Sequence, residues 1–332
     1  MMMMPVVKEL DIREISGLQI GHAEWDHAKT GVTVLYFPRG ARAGCHISGG
    51  GPASRETPLT LPETADNPVD AIVLSGGSAY GLAAADGVMR CLEKHDIGYV
   101  TPACRVPLVC QSCIFDLAYG SATLRPDASL GYEACERALQ GTDGRMGNIG
   151  GGIGASVGKL YGMKRAMKSG FGIHSVRIGD LEITAAVIVN AFGDIVNPRD
   201  GKKIAGLTNE ARTDLSDTVM ELTRFIQPRD MFTGNTTIGA VITNARFSKA
   251  EMNKIASMAQ NAYARCITPV GTMADGDTVY AVSVPAEEGE KQVTADINLV
   301  GTLSAEVMAE AIHKAVITAQ IPDDEFLKDC LG

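Results

Sequence analysis

Residues 232–256 read FTGNTTIGAVITNARFSKAEMNKIA, and two signals follow one another in this stretch. The run TTIGAVITN is rich in β-branched residues and reads as a buried strand. Ser248, with Glu251 three positions on, is a capping box that opens a helix continuing to about residue 265. Outward from this pair the pattern repeats. VTVLYF (32–37) and AIVLSG (71–76) read as strands and residues 79–94 as a helix. HSVRIG and EITAAVIVNAFG form a hairpin about Gly179 and Asp180, and residues 212–225 read as a helix ending before Pro228. A strand over 278–284 and a helix over 304–319 close the chain, while NPRDGKKIAGLTN (197–209) reads as an internal loop rather than a domain boundary. No fixed-period repeat is present.

With 332 residues, 45% of them hydrophobic, the chain can bury a large core, and 37 glycines beside 21% charged residues describe a compact α/β protein. The net charge of -9 speaks against nucleic acid or an anionic membrane as a partner. The apolar start (1–7) is interrupted by Lys8, Glu9 and Asp11, so it lacks the length and cationic flank of a signal peptide, and no run approaches the about 20 apolar residues of a membrane span. The expected location is cytoplasmic. Eight scattered cysteines read as reduced thiols, most in apolar surroundings. Cys110 and Cys113 form a lone CxxC without the second pair of a zinc ribbon or the context of a redox site, so neither a metal nor a cofactor is expected.

Two motifs come close and fail. GNIGGGIGASVGKLYG (147–162) resembles a phosphate loop, but Ile153 stands where the first glycine belongs and Leu160 replaces the magnesium-binding hydroxyl. As a dinucleotide fingerprint it lacks the acidic residue about 20 positions on. SGGSAYGL (75–82) sits where a nucleophile elbow would, yet Tyr80 takes the place of its last glycine. His22, His27, His46, His95, His174 and His313 show no motif that would complete a serine triad. Ser78 and Tyr80 then read as pocket-lining or helix-capping residues. Taken singly, Lys159 reads as a solvated charge, Asn190 as a turn residue and the doublet Asp275 and Asp277 in MADGDTVYA as a loop entering a strand.

In order and together, GGGPASRET, AIVLSGGSAYGLAAADGVM, GNIGGGIGASVGKL, VIVNAFGDIV, GNTTIGAVITNARFSKAEMNKIA and MADGDTVYAV span nearly the whole chain. They resemble the self-processing aminopeptidases and esterases that include L-aminopeptidase/D-esterase, the β-aminopeptidases and the nylon-oligomer (6-aminohexanoate oligomer) hydrolases. The resemblance implies a four-layer αββα sandwich of the N-terminal-nucleophile type. It also implies a single catalytic domain, 1–332, made as a precursor and cut between Asn235 and Thr236 into fragments 1–235 and 236–332. Residue by residue, Thr236 matches the nucleophile, Lys159 and Asn190 polar groups around it, and Asp275 and Asp277 the acidic pair that steadies it. The threonine and two-aspartate version looks like the nylon-oligomer branch. Phe115 in IFDL departs from relatives that carry tyrosine, and Ser48 from relatives that carry arginine.

On this reading the freed α-amine of Thr236, with an ordinary pKa of about 7.7 to 8.0, acts as the base for its own hydroxyl. The Asn190 amide donates to the oxyanion, and water releases the acyl-enzyme. Before the cut, Thr236 attacks the Asn235 carbonyl, with Gly234 permitting the bent backbone. The expected substrates are small peptides, amino-acid amides or 6-aminohexanoate oligomers, and the expected assembly is a homo-oligomer of processed protomers. The alternatives are an acyltransferase of similar architecture and a non-catalytic relative acting as a binding or scaffold protein.

Overall fold

The computed structural model describes residues 7–227 and 234–331. Pro228, the expected stop of the 212–225 helix, lies outside the described residues, as do Phe232 and Thr233 of the segment quoted first and most of the apolar start. One long strand organises the molecule. The strands are β1 (Gln19–Trp25), β2 (Thr30–Ile47), β3 (Val69–Ser75), β4 (Val109–Cys113), β5 (Phe171–Ile178), β6 (Leu181–Asn190), β7 (Thr236–Thr243) and β8 (Thr278–Ser283). The first part of β2 pairs antiparallel with β1 and β3, and β3 runs parallel to β4. The last part of β2 pairs with β8, from which the order continues β7, β6, β5. The strand thus passes from one sheet into a second, and β7 and β8 are the parallel pair of that second sheet.

Alternation along the strands assigns the layers. Leu181, Ile183, Ala185, Val187 and Val189 of β6 face one way, into a core shared with helices α3 (Lys249–Ala259) and α5 (Ile297–Ile317). Ala186 and Ile188 face the other way, into a core where they meet Leu35, Ile72 and Leu74 of the first sheet. On the outer face of that first sheet Val32, Val34, Ala71 and Val73 pack against α1 (Ala84–Lys94) and α2 (Ala128–Leu139). Helix, sheet, sheet, helix is the αββα sandwich. Among the described residues no helix is long and apolar enough to cross a membrane.

Several expected elements change at their ends, each for a local reason. The Ser248–Glu251 capping box forms as expected, but its helix breaks at Gln260 and resumes as α4 (Asn261–Cys266). The helix expected over 79–94 is α-helical only from Ala84. Gly77 and Ser78 are left-handed (φ 86° and 53°), and the buried Gln111 amide inserts into the next turn, donating to Gly81 O (2.7 Å) and accepting from Ala85 N (3.2 Å). The helix expected over 212–225 shrinks to Thr218–Leu222. Arg212 is left-handed (φ 57°), the side chains of Asn209 and Asp214 bind Thr213, and Asp217 caps the short helix through Met220 N (2.9 Å). The last helix starts at Ile297 rather than 304 because Asp296 caps it through Asn298 N (2.9 Å) and Leu299 N (3.1 Å). The loop 197–209 carries a small strand, Lys203–Ala205, paired with Asp194–Val196.

Candidate active site

Three neighbouring strands of the second sheet bring the site residues to one end. Asn190 is the last residue of β6 and lies in register with Thr236, the first of β7. Asn235 bridges Asp275, just ahead of β8. Lys159 arrives from the glycine-rich segment, its backbone N–H bound to Phe192 O (3.1 Å) beyond the end of β6. Lys159, Asn190, Asn235, Thr236, Asp275 and Asp277 are all buried.

The phosphate-loop geometry is ruled out here by hydrogen bonding. Gly150 N donates to Glu24 Oε2 (3.1 Å) and Gly151 N to Thr33 Oγ1 (3.2 Å), so these amides hold protein groups. What the segment delivers is the Lys159 ammonium, which donates to Asn190 Oδ1 (2.7 Å), Gly234 O (3.0 Å) and Asn190 O (3.2 Å). Asn190 Nδ2 donates to Phe115 O (3.0 Å) and reaches Gly234 O (3.5 Å). Asn190 Oδ1 also accepts from Ser156 N (3.1 Å).

The Thr236 hydroxyl lies against the carbonyl oxygen of Asn235. That same oxygen accepts the N–H of Gly276 (3.0 Å), between the two aspartates. Asp277 accepts from Thr237 N (2.6 Å) and Gly271 N (3.0 Å), and Asp275 from the Thr272 hydroxyl (2.6 Å) and N–H (2.9 Å). The doublet therefore fixes the start of β7 and the 271–277 loop. Gly234 is left-handed (φ 61°) and packs on Phe115: a Cβ here would come within 2.7 Å of ring Cε1 and nearer still to Cδ1 and Cγ.

Burial governs the charges. It pushes Lys159 down to about 7, against the pull of Asp275, Asp116 and Asp277. It raises Asp277 to about 7, helped by repulsion from Asp275, and raises Asp275 against the Thr272 hydrogen bonds. A group of side chain and backbone with a hydroxyl on a polarised carbonyl, a donor on its oxygen and an amine titrating near neutrality has the parts for acyl transfer.

Both departures noted in the sequence lie beside this group. Phe115 offers its main-chain carbonyl to Asn190 and its ring to Gly234. Ser48 N donates to Asp277 O (3.0 Å), and its hydroxyl has no partner among the described residues. Sequence reasoning missed two participants. Asp116, buried beside Phe115, accepts from Thr30 Oγ1 (2.6 Å) and Gly77 N (2.7 Å), and burial raises it to about 6. A carboxylate inside the apolar run IFDL was the available signal. The Gly276 N–H has no sequence signal at all. Outside the site, Ser78 carries the left-handed backbone of an elbow, and Tyr80 is exposed with the Arg125 guanidinium 3.6 Å over its ring. Cys110 faces the core between the sheets, while Cys113 contacts Ser75 Oγ (3.1 Å), as i and i+3 on a strand must diverge.

The model of peptidase family S58 matches residues 11–323. An uncharacterised aminopeptidase of Mycobacterium leprae is 36% identical over 341 residues, covering 93% of this chain and 90% of its own. A 6-aminohexanoate-oligomer endohydrolase of Agromyces sp. is 32% identical over 313 residues, covering 91% and 84%. The β-aminopeptidase of Burkholderia sp. superposes with a TM-score of 0.63 at 18% identity, covering 99% of this chain and 96% of its own. The L-aminopeptidase D-Ala-esterase/amidase of Ochrobactrum anthropi, described as a variant of the Ntn hydrolase fold, gives 0.62 at 16% identity, covering 95% and 89%. At those identities the two structures speak to fold alone, and they agree with the sandwich. The chain belongs to peptidase family S58 and is a hydrolase of amide bonds.

Proposed function

We propose that the protein is an autoprocessing amide hydrolase in which Thr236 is the nucleophile, first toward the Asn235 carbonyl and then, as a new N-terminus, toward substrate. The observation that carries this is the pairing at one carbonyl: the Thr236 hydroxyl touches the Asn235 oxygen while Gly276 N–H donates to it (3.0 Å). A donor held on a carbonyl oxygen stabilises the charge that develops there on attack. Lys159, brought to about 7, is substantially neutral near pH 7 and able to accept a proton before any α-amine exists. Attack gives an ester at Thr236. The carbonyl–nitrogen bond breaks as that ester forms, freeing the Thr236 amine; water then hydrolyses the ester to the Asn235 carboxylate and the Thr236 hydroxyl, and the amine takes over as base.

In substrate turnover the acyl carbonyl takes the place of Asn235 C=O, with Gly276 N–H as one oxyanion donor. Departure of Gly234 O releases the Asn190 amide to act as a second. The substrates are small peptides, amino-acid amides or 6-aminohexanoate oligomers, in line with the names of the relatives above, and the processed protomers assemble as a homo-oligomer in the cytoplasm. Intact mass under denaturing conditions tests the first step. Wild type gives two chains, the smaller of 97 residues (332 - 235) beginning at Thr236, and Thr236→Ala stays whole. Complete cleavage of Thr236→Ala refutes the proposal.

A further inference from the structure

Away from the active end, in the helix layer outside the first sheet, three metal-ligating side chains meet between α1 and α2. Cys91 lies on α1, His95 caps the C-terminal end of that helix one turn on, and Glu136 faces them from α2. The ligand atoms of Cys91, His95 and Glu136 lie within 4.8 Å of one another. His95 Nε2 and Glu136 Oε1 are 3.2 Å apart. Zinc bonds of about 2.0–2.3 Å at tetrahedral angles place ligand atoms about 3.3–3.8 Å apart, so the three atoms need draw in by no more than about 1.5 Å.

We propose that Cys91, His95 and Glu136, with water as the fourth ligand, form a tetrahedral site for a thiophilic divalent cation of the zinc class, clamping α1 to α2. A thiolate, an imidazole and a carboxylate are the donor set of such an ion rather than of magnesium or calcium. Each ligand supplies an electron pair, the Cys91 thiol proton passes to solvent, and nothing is oxidised or reduced. The Cys91 sulfur lies in the buried helix interface and the imidazole and carboxylate at its rim, 41% and 28% exposed as side chains, which leaves a path for the ion. Tyr132 OH donates to Glu136 Oε1 (2.8 Å) and orients the carboxylate from behind. Lys94, 3.8 Å from the same oxygen, donates to the Tyr132 hydroxyl (2.8 Å) and is 67% exposed, so that contact is one it exchanges with water when a cation arrives.

The test uses the full chain, reduced and stripped with chelator, titrated with Co²⁺. The expected result is one equivalent bound, with a thiolate-to-cobalt charge-transfer band and the visible bands of a tetrahedral ion, both erased by Zn²⁺. His95→Ala, at the exposed rim, should weaken Co²⁺ binding at least tenfold, and Cys91→Ser should abolish the charge-transfer band. Cys104→Ser, at an exposed thiol elsewhere, should leave both unchanged, and amide hydrolysis should be unaffected by His95→Ala. Absence of the thiolate band in wild type, or a titration unaltered in His95→Ala, overturns the site even if Cys91→Ser does not fold.

Discussion

Gly234→Ala tests the geometry around the bond to be cut. Residue 234 sits at φ 61°, where a side chain costs about 1–2 kcal/mol, and its Cβ would enter the Phe115 ring, an overpacking that costs about 1–3 kcal/mol. The variant should therefore lose about 2–5 kcal/mol, read by urea unfolding in the Thr236→Ala background so that every chain is whole. The same clash moves the Gly234 carbonyl off Lys159 Nζ (3.0 Å) and, one residue on, the Asn235 carbonyl off Gly276 N–H (3.0 Å). A displacement near 1 Å costs about a hundredfold in rate, so the 97-residue fragment should appear about a hundred times more slowly in a mass-spectrometric time course. Phe115→Ala removes the three ring atoms that clash but leaves the backbone term. Added to Gly234→Ala it should return about 1–3 kcal/mol relative to additivity and much of the lost rate. Processing of Gly234→Ala at the wild-type rate, or strict additivity in the double variant, refutes the account.

Lys159 has an ordinary value of 10.5 and a folded value of about 7, so between these pH values the unfolded chain holds the extra proton and stability rises with pH. Lys159→Met should remove part of that rise, the remainder belonging to Lys168, which burial also lowers to about 7; urea unfolding at pH 7.5 and 9.5 measures both. Asp116 runs the other way: raised from 3.8 to about 6, it takes up a proton on folding, and its contribution falls as pH climbs through that window. Asp116→Asn keeps an acceptor for Gly77 N–H and should lose the fall, as melts at pH 4 and 7 would report. Asp277 is held at about 7 in the uncut chain by burial and by Asp275, and Thr237 N on its oxygen puts the future Thr236 ammonium close by. An opposite charge lowers a carboxyl pKa by about 1–3, so carboxyl-carbon NMR should find Asp277 titrating at least about one pH unit lower in cut wild type than in Thr236→Ala.

What was legible in the sequence was what local chemistry determines. The hairpin of HSVRIG and EITAAVIVNAFG, its turn at Gly179 and Asp180 and the Ser248–Glu251 box each depend on residues a few positions apart, and each appears as read. The shortened helix at 79–94 was not legible, because Gln111, which occupies its hydrogen bonds, comes from another strand. The 212–225 helix failed for a nearer reason: its apolar spacing was outweighed by Asn209, Asp214 and Asp217 binding the local backbone and one another. In the site, the family resemblance marked Lys159, Asn190, Thr236, Asp275 and Asp277, which taken singly read as ordinary residues, but partners such as the Phe115 carbonyl and the Gly276 N–H are backbone groups that every sequence contains. Only register across β6, β7 and β8 brings them to the Asn235–Thr236 bond.

That register also bears on the proposed cleavage, because it suits the first residue of an interior strand to the role of nucleophile. β7 is hydrogen-bonded on both sides, antiparallel to β6 from Asn190 and parallel to β8, and its side chains fill the cores on both faces of the sheet. Breaking the Asn235–Thr236 bond would remove none of those ladders, so the new terminus would stay fixed while Gly234 and Asn235 became free to leave. The bond itself lies where the ladder ends: Asn235 makes a single bridge to Asp275, and Gly234 is already left-handed. A nucleophile in a surface loop would gain mobility on cleavage. One at the head of β7 would keep the aim that the whole sheet gives it, and the proposed cut would open the space its substrate needs.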